Sequence, residues 1–289
     1  MAERLLASKN VVITGGTAGI GAAAARLFAQ QGAQVLLLGR DRLRGERLAA
    51  EIGLETRNES IFAVACDLSS PDDVHRAAAE IRRRCRCVDI LINNAGLFLP
   101  RRELTPQRHE KTFAALYLGH FLLTQLLLDT ILEAQQGRIL CVTCPPSQAK
   151  VDFDDLTLSK KYSTLKAQYQ AKGALFMFAN EMAKRLQGSD VTINSMLPAM
   201  MIKTDLMRRM NVFWRLPVAL FGISPEKAAS HEFHLTTVPE LAGTTGKYFL
   251  GRSEKPMSGQ IVDADACRRL WDLSVEMTGL AAGVNPLID

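Results

Sequence analysis

The 289-residue sequence predicts a doubly wound α/β fold in a single domain, 1–289, on three observations. Strand-like and helix-like segments alternate for most of its length. The strand-like runs are apolar with little alternation, as in a parallel sheet buried on both faces by helices. A glycine-rich turn, TGGTAGIG at 14–21, joins the first strand to the first helix, where such folds hold phosphates.

The elements follow in order. NVVITGG reads as the first strand and GIGAAAARLFAQQG as a helix closed by Gly32. QVLLLGR is the second strand, followed by a helix from Arg42 to Ile52. IFAVACDL is the third, followed by a helix from Asp72 to Arg84, and VDILINNAG is the fourth. A long helix is expected next, with Thr105 as its cap and Pro106 at its first position. RILCVTC is the fifth strand, KAQYQAKGALFMFANEMAKRL a helix and VTINSML the sixth strand. The alternation breaks from about Met200 to Pro225, a stretch rich in Met, Phe, Trp and Leu, read as a loop-and-helix insertion.

Composition narrows the class. An apolar fraction of 47% and a charged fraction of 22% suit a globular chain with a sizeable core. No segment reaches the roughly 18 uncharged apolar residues of a membrane helix, and MAERLLASKN is too short and charged for a secretory signal. A soluble cytoplasmic protein without a membrane partner is expected. The +5 net charge is mild. Its dense patch, RRRCR at 82–86, ends a helix, where cations complement the dipole. Basic residues are not interleaved with aromatics, so no nucleic-acid partner is expected. Six cysteines make no disulfide framework in a chain this long, and all six are expected as free thiols. Cys141 and Cys144 are read as facing opposite sides of a strand, which speaks against a shared metal.

At the glycine-rich turn, Gly15 allows the tight turn, Gly19 the backbone approach to a phosphate and Gly21 close helix–sheet packing, with Thr17 and Ile20 between them. The helix N-terminus adds free N–H groups and a positive dipole for a pyrophosphate. An acidic residue closing the second strand would select NAD. Gly39-Arg40 stands there instead, and an arginine can pair with a 2′-phosphate, so NADPH is the expected cofactor. Asp67 closes the third strand, where a carboxylate can meet the adenine amine; a turn or cap residue is its plainer role.

Together TGGTAGIG, the Asp67-Leu68 pair and NNAG at 93–96 resemble the short-chain dehydrogenase/reductase family. LGHFLLTQLLLD at 118–129, FDDL at 153–156, KAxxxxK at 166–172 and LWDLSVEMTGL at 270–280 look like its retinol-dehydrogenase-like branch. The resemblance implies a Rossmann domain of about seven strands and nicotinamide-dependent carbonyl or alcohol chemistry. It implies that Asn93, Ala95 and Gly96 line the cofactor. It also implies that Thr204, after Leu197-Pro198, touches the nicotinamide or a phosphate, although Pro198-Ala199 replaces the family's Pro-Gly. Pairing of helices across a two-fold axis, common in the family, makes a homo-oligomer possible.

The family's catalytic asparagine, serine, tyrosine and lysine are not all matched. Aligning on LGHF places Leu116 at the asparagine and aligning on RILCVTC places Cys144 at the serine. Tyr162 and Lys166 match YxxxK literally. The sequence after Lys172, and its 26-residue spacing to Pro198, favour Lys172 as the family lysine, which puts Gln168 in the tyrosine place. Tyr169 is one residue out, about 100° around a helix. An amide has no proton to give at neutral pH, and a thiol is a weak donor. Ser147 is a candidate replacement hydroxyl, or else a solvent-facing loop serine. His120 lies in an apolar helix and is read as a packing residue. His231 and His234 lack further ligands for a metal.

Two functions remain open. In the first, the ketone carries its own acid: a phenolic or enolic hydroxyl beside the carbonyl neutralises the alkoxide left by hydride transfer. The substrate is then a polycyclic aromatic ketone, and the chain resembles the angucyclinone ketoreductases of polyketide antibiotic assembly. MMIKTDLMRRMNVFWRLPVALF, 200–221, either walls such rings or is ordinary core. The second is a catalytically silent NADP(H)-binding protein that acts as a sensor or assembly partner.

Overall fold

The computed structural model describes residues 4–200, 202 and 222–280. Among them eight strands form one sheet: β1 (Asn10–Thr14), β2 (Gln34–Gly39), β3 (Ile61–Ala65), β4 (Ile90–Asn93), β5 (Arg138–Val142), β6 (Thr192–Leu197), β7 (Tyr248–Leu250) and β8 (Ser253–Lys255). Their order is β3-β2-β1-β4-β5-β6-β7-β8, parallel throughout except for β7 with β8. The helices are α1 (Gly19–Gln30), α2 (Arg42–Thr56), α3 (Pro71–Arg84), a composite α4, a short α5 (Leu128–Leu132), α6 (Thr164–Arg185), α7 (Pro225–Thr237) and α8 (Ala264–Thr278). In α4, Lys111–Phe113 is α-helical, Ala114–Leu118 is π-helical and Gly119–Leu126 is α-helical again.

Alternation along the strands explains the layers. Val12, Leu36, Leu38 and Leu91 enter a core that includes Val74 of α3, Phe121 of α4, Leu175 of α6 and Trp271 of α8. Val11, Ile13, Val35 and Leu37 enter a second core with Phe28 of α1, Ile52 of α2 and Leu235 of α7. Successive residues point to opposite sheet faces, so a strand that is apolar at every position feeds both cores. From β1 the chain works outward to β3, then returns to β4 on the other side of β1. Connections therefore leave β1 and β4 in opposite directions, and a crevice opens at their C-terminal ends.

Three expectations are corrected. The sheet has eight strands rather than about seven. The extra one, Ser-Glu-Lys, is an exposed antiparallel edge behind Gly251 at φ +60°, too short and polar to show a period-two signal. The long helix is not capped by Thr105. Thr105 Oγ1 accepts the His109 N–H at 3.2 Å within a turn, and Arg108 sits at φ +64°, which no helix tolerates. The cap is Glu110, whose buried carboxylate accepts the N–H groups of Thr112 (3.0 Å) and Phe113 (2.8 Å). Finally, β5 stops at Val142, so strand alternation does not reach Cys144, and Cys141 and Cys144 share one core. All six cysteines are free thiols.

Gly119 lets α4 press against the chain after β3. A Cβ there would stand 2.1 Å from Leu68 O, a backbone atom that cannot swing aside. Gly119→Ala should lower the unfolding free energy by about 1–3 kcal/mol or more, as overpacking does. Gly243→Ala, with nothing within 4 Å of its Cβ, should stay within about 0.5 kcal/mol. Urea denaturation of the two variants against the parent checks the contrast.

Candidate active site

The crevice is built around Thr14, the last residue of β1. Thr14 Oγ1 accepts the backbone N–H groups of Asn94 (2.9 Å) and Ala95 (3.0 Å), and Asn94 Nδ2 donates to Thr14 O (2.9 Å). His120 of α4 completes the network. A carbonyl only accepts, so His120 Nδ1–H donates to Leu116 O (2.9 Å), leaving Nε2 as an acceptor for the Thr14 hydroxyl proton (2.9 Å), which the Ile92 carbonyl also faces (3.2 Å). Burial, helped by the nearby Lys172 charge, pushes the His120 pKa down to about 3. The imidazole is therefore neutral, and the packing role expected of it is also a hydrogen-bonding one.

The glycine turn is shaped as a cradle. Gly15 and Gly19 adopt φ +65° and +54°. A Cβ on Gly15 would stand 2.9 Å from Ala95 Cα, and one on Gly21 2.4 Å from Gly15 O. Gly39 brings the end of β2 against Thr17, within 2.7 Å of where its Cβ would be. No side chain caps α1, whereas Asp41, Ser70, Ser163, Ser224 and Asp263 cap α2, α3, α6, α7 and α8. The first N–H groups of α1, near Gly19 and half-buried Ile20, are thus left for an anion. Arg40 is exposed beside this cradle. Asp67 Oδ1 accepts the Ser69 N–H (2.9 Å) and hydroxyl (2.7 Å), while its other oxygen is unpartnered among the described residues. The backbone and donor set fit a dinucleotide's phosphates.

At the end of β4 the side chains divide. Asn93 is fully buried and turns away from the cleft, donating to Thr124 Oγ1 (3.1 Å) and Cys141 Sγ (3.7 Å). Asn94, which was not singled out from the sequence, is the residue that ties the turn. Ala95 and exposed Gly96 continue along the cleft. Lys172 of α6 reaches across this edge, donating to Ala95 O (3.2 Å) and Val142 O (2.7 Å). An ammonium has three donors, and the third has no partner among the described residues. Burial pulls the Lys172 pKa down to about 8, opposed by Cys144, Cys141 and Glu232. Gly173 lets the turn after β5 approach α6 at this point, with Lys150 N 3.0 Å from where a Cβ would be.

The two lysine pairings separate in space. Gln168, buried, donates through Nε2 to Leu97 O, one helical turn before Lys172. Tyr162 lies outside α6, and its hydroxyl donates to Leu99 O (2.8 Å). Lys166 pairs with Asp152 at 3.6 Å near the surface. Tyr169 is half-buried, and its hydroxyl makes no hydrogen bond among the described residues. Cys144 is buried, which pushes its thiol up to about 12. Ser147 is exposed on the 3₁₀ turn Pro146–Gln148. Leu116 is buried in the π-helical segment and offers only its carbonyl, to His120. Pro198 is buried, its carbonyl accepting from His231 Nδ1 (3.0 Å). Thr204 and most of the insertion, 203–221, lie outside the described residues. Ile202 and Ile223 bridge the two sides of that stretch.

Glu232 was not anticipated. In SHEFHL it reads as one of the polar residues of a solvated helix, yet it is fully buried on α7, which packs against α1 and β5. Neither carboxylate oxygen has a hydrogen-bond partner among the described residues. Burial pushes its pKa up to about 8, with Lys172 opposing. Among the described residues no group of three or more His, Cys, Asp or Glu side chains is placed to hold a metal. No helix among them is long and apolar enough to cross a membrane.

Known proteins resemble this chain in sequence and fold. The family model described as short chain dehydrogenase matches residues 9–212. Human retinol dehydrogenase 13 is 36% identical over 289 residues, covering 95% of this chain and 86% of its own. Human polyprenol dehydrogenase is 32% identical, covering 93% of this chain and 84% of its own. Among solved structures, an uncharacterised protein from Mycobacterium paratuberculosis superposes with a TM-score of 0.74 at 26% identity, over 94% of each chain.

Glu232 sets a pH dependence whose sign is fixed. Its pKa rises from 4.5 in the unfolded chain to about 8 in the fold, so the folded state holds the extra proton between those values. Stability should fall as pH rises from about 4.5 to 8. Lys172, lowered from 10.5 to about 8, acts in a separate window, where stability rises with pH. Thermal unfolding across this range should show Glu232→Gln flattening the lower slope and leaving the upper one.

Proposed function

The chain belongs to the short-chain dehydrogenase family, and on that premise we propose that it reduces a ketone on a hydroxylated polycyclic aromatic substrate with NADPH. The observation that carries this reading is the residue set around Lys172: a buried amine on the Ala95 and Val142 carbonyls, with an amide rather than a phenol one turn before it. When bound, the nicotinamide supplies the hydride. The Gly15–Gly21 cradle and the free α1 N-terminus hold the pyrophosphate, Arg40 meets the 2′-phosphate, and the spare Lys172 donor takes a ribose hydroxyl.

Gln168 can orient the substrate oxygen by hydrogen bonding but cannot protonate it. Cys144, held neutral by burial, adds at most a weak donor. A hydroxyl of the substrate, peri to the carbonyl, therefore neutralises the alkoxide. Losing a protein acid costs about 10² to 10⁴ in rate, whereas orientation of the reactants supplies about 10⁵ M or more of effective molarity. Orientation is the greater of the two effects, and the cradle and Lys172 that provide it are retained here. The relatives are named for retinol and polyprenol, both apolar, and this supports an apolar substrate.

The test is NADPH oxidation with purified protein and a panel of polycyclic ketones with and without a peri hydroxyl, retinal included. Turnover should require that hydroxyl. Lys172→Ala should lose about 100-fold or more of kcat/KM, and Tyr162→Phe should keep most of it. Abolition by Tyr162→Phe would identify a protein acid and end the substrate-acid reading. Tight NADPH binding without oxidation across the panel would favour a silent cofactor-binding protein.

A further inference from the structure

Tyr169 leads away from the cofactor crevice. One position after Gln168, it lines a groove of about 730 Å³, open on one side, between the turn after β5, the start of α6 and Arg269 of α8. The walls of this groove are fixed in advance. Buried Gln170 accepts the Asp152 N–H (3.1 Å) and donates to Leu156 O (3.0 Å). Gln260 grips Val151 on both sides, accepting its N–H (2.8 Å) and donating to its carbonyl (3.0 Å). Two glutamines thus hold the lining loop by its backbone, which limits the ordering a ligand would have to impose.

The lining is aromatic and cationic. The Arg269 guanidinium stands over the Phe153 ring at 4.5 Å. That stack leaves all five N–H donors of Arg269 unspent among the described residues. Lys150 is exposed, and among the described residues it carries no ion pair and the Tyr169 hydroxyl has no partner. Asp152 is occupied by Lys166 at 3.6 Å, and exposed Asp154 is the remaining carboxylate. Three cations therefore face two carboxylates, one of them already paired.

From this arrangement we propose that the groove is a second small-molecule site that binds a flat aromatic carboxylate, its ring between Tyr169 and the Phe153–Arg269 stack and its anion on Arg269 and Lys150. The planar guanidinium suits a two-point carboxylate contact. The site is distinct from the proposed reductase site, because the side chains assigned to the ligand, Tyr169, Phe153, Arg269 and Lys150, are not those assigned to the cofactor cradle or to the Lys172 ammonium.

Titration calorimetry with 2-naphthoate, 2-naphthylmethanol and NADPH tests this on the full chain. Naphthoate should bind with a dissociation constant below millimolar and the neutral alcohol about tenfold or more weakly, as loss of a charge-assisted contact predicts. Arg269→Glu and Tyr169→Ala should each weaken naphthoate by about tenfold, while NADPH affinity and the melting temperature stay put. Arg269 is exposed and Tyr169 only half-buried, so both variants should fold. Saturating NADPH should leave naphthoate affinity unchanged. Absence of binding at millimolar naphthoate would overturn the assignment, as would indifference to both substitutions or displacement by NADPH. None of these results depends on turnover, so the reductase reading stands or falls separately.

Discussion

A single hydroxyl, that of Thr14, fixes the cofactor crevice. Its two lone pairs accept the amides of Asn94 and Ala95, and its one proton lies between His120 Nε2 at 2.9 Å and the Ile92 carbonyl at 3.2 Å. This joins the end of β1 to the end of β4 and to α4 at the point where the sheet order reverses. Ala95, placed by that bond, presents the carbonyl that Lys172 reaches. A protonated His120 would have to donate at Nε2, and Thr14 would then have to turn its proton elsewhere. Burial opposes this by favouring the neutral imidazole. Hydrogen bonds in so dry a setting are strong when satisfied and costly when not, which makes the network a rigid unit.

The π-helical turn in α4 belongs to the same unit. Ala114–Leu118 forms the widened turn, and Leu116 within it supplies a carbonyl to His120. Glu232 stands on the other side of the balance. An unpartnered carboxyl inside the fold is destabilising when ionised, and the nearby Lys172 offsets only part of that cost.

The legible part of the sequence was the part governed by local rules. Six strands showed as apolar runs, and the glycine turn showed by spacing. What stayed hidden depended on contacts between distant segments. Ser253–Lys255 pairs only because β7 is beside it. Thr105 carries the right residue type for a cap, but Arg108 in the left-handed region ends that turn, and Glu110 takes the role. Asn94 and Asn93 are indistinguishable in NNAG, yet Asn93 ends β4 with its side chain in the core and Asn94, just past the strand, bonds to Thr14. Glu232 looks like surface because helix position, not residue type, decides its burial.

The consequence of a single register is plainest on α6. Gln168 and Tyr169 differ by about 100° around the helix. That rotation carries one side chain to the Leu97 carbonyl beside Lys172 and the other to the groove lined by Arg269. No rotamer of Tyr169 bridges this difference, because the Cα–Cβ direction itself has turned. Moving the phenol back would require a one-residue slip of α6. Lys172, Gly173 and Gln170 would move with it, and each is held by specific contacts: two carbonyls, the close approach of Lys150, and the clamp on Asp152 and Leu156. The helix is locked at several points along one turn, so the chemistry available at its start is fixed by the packing of the whole element.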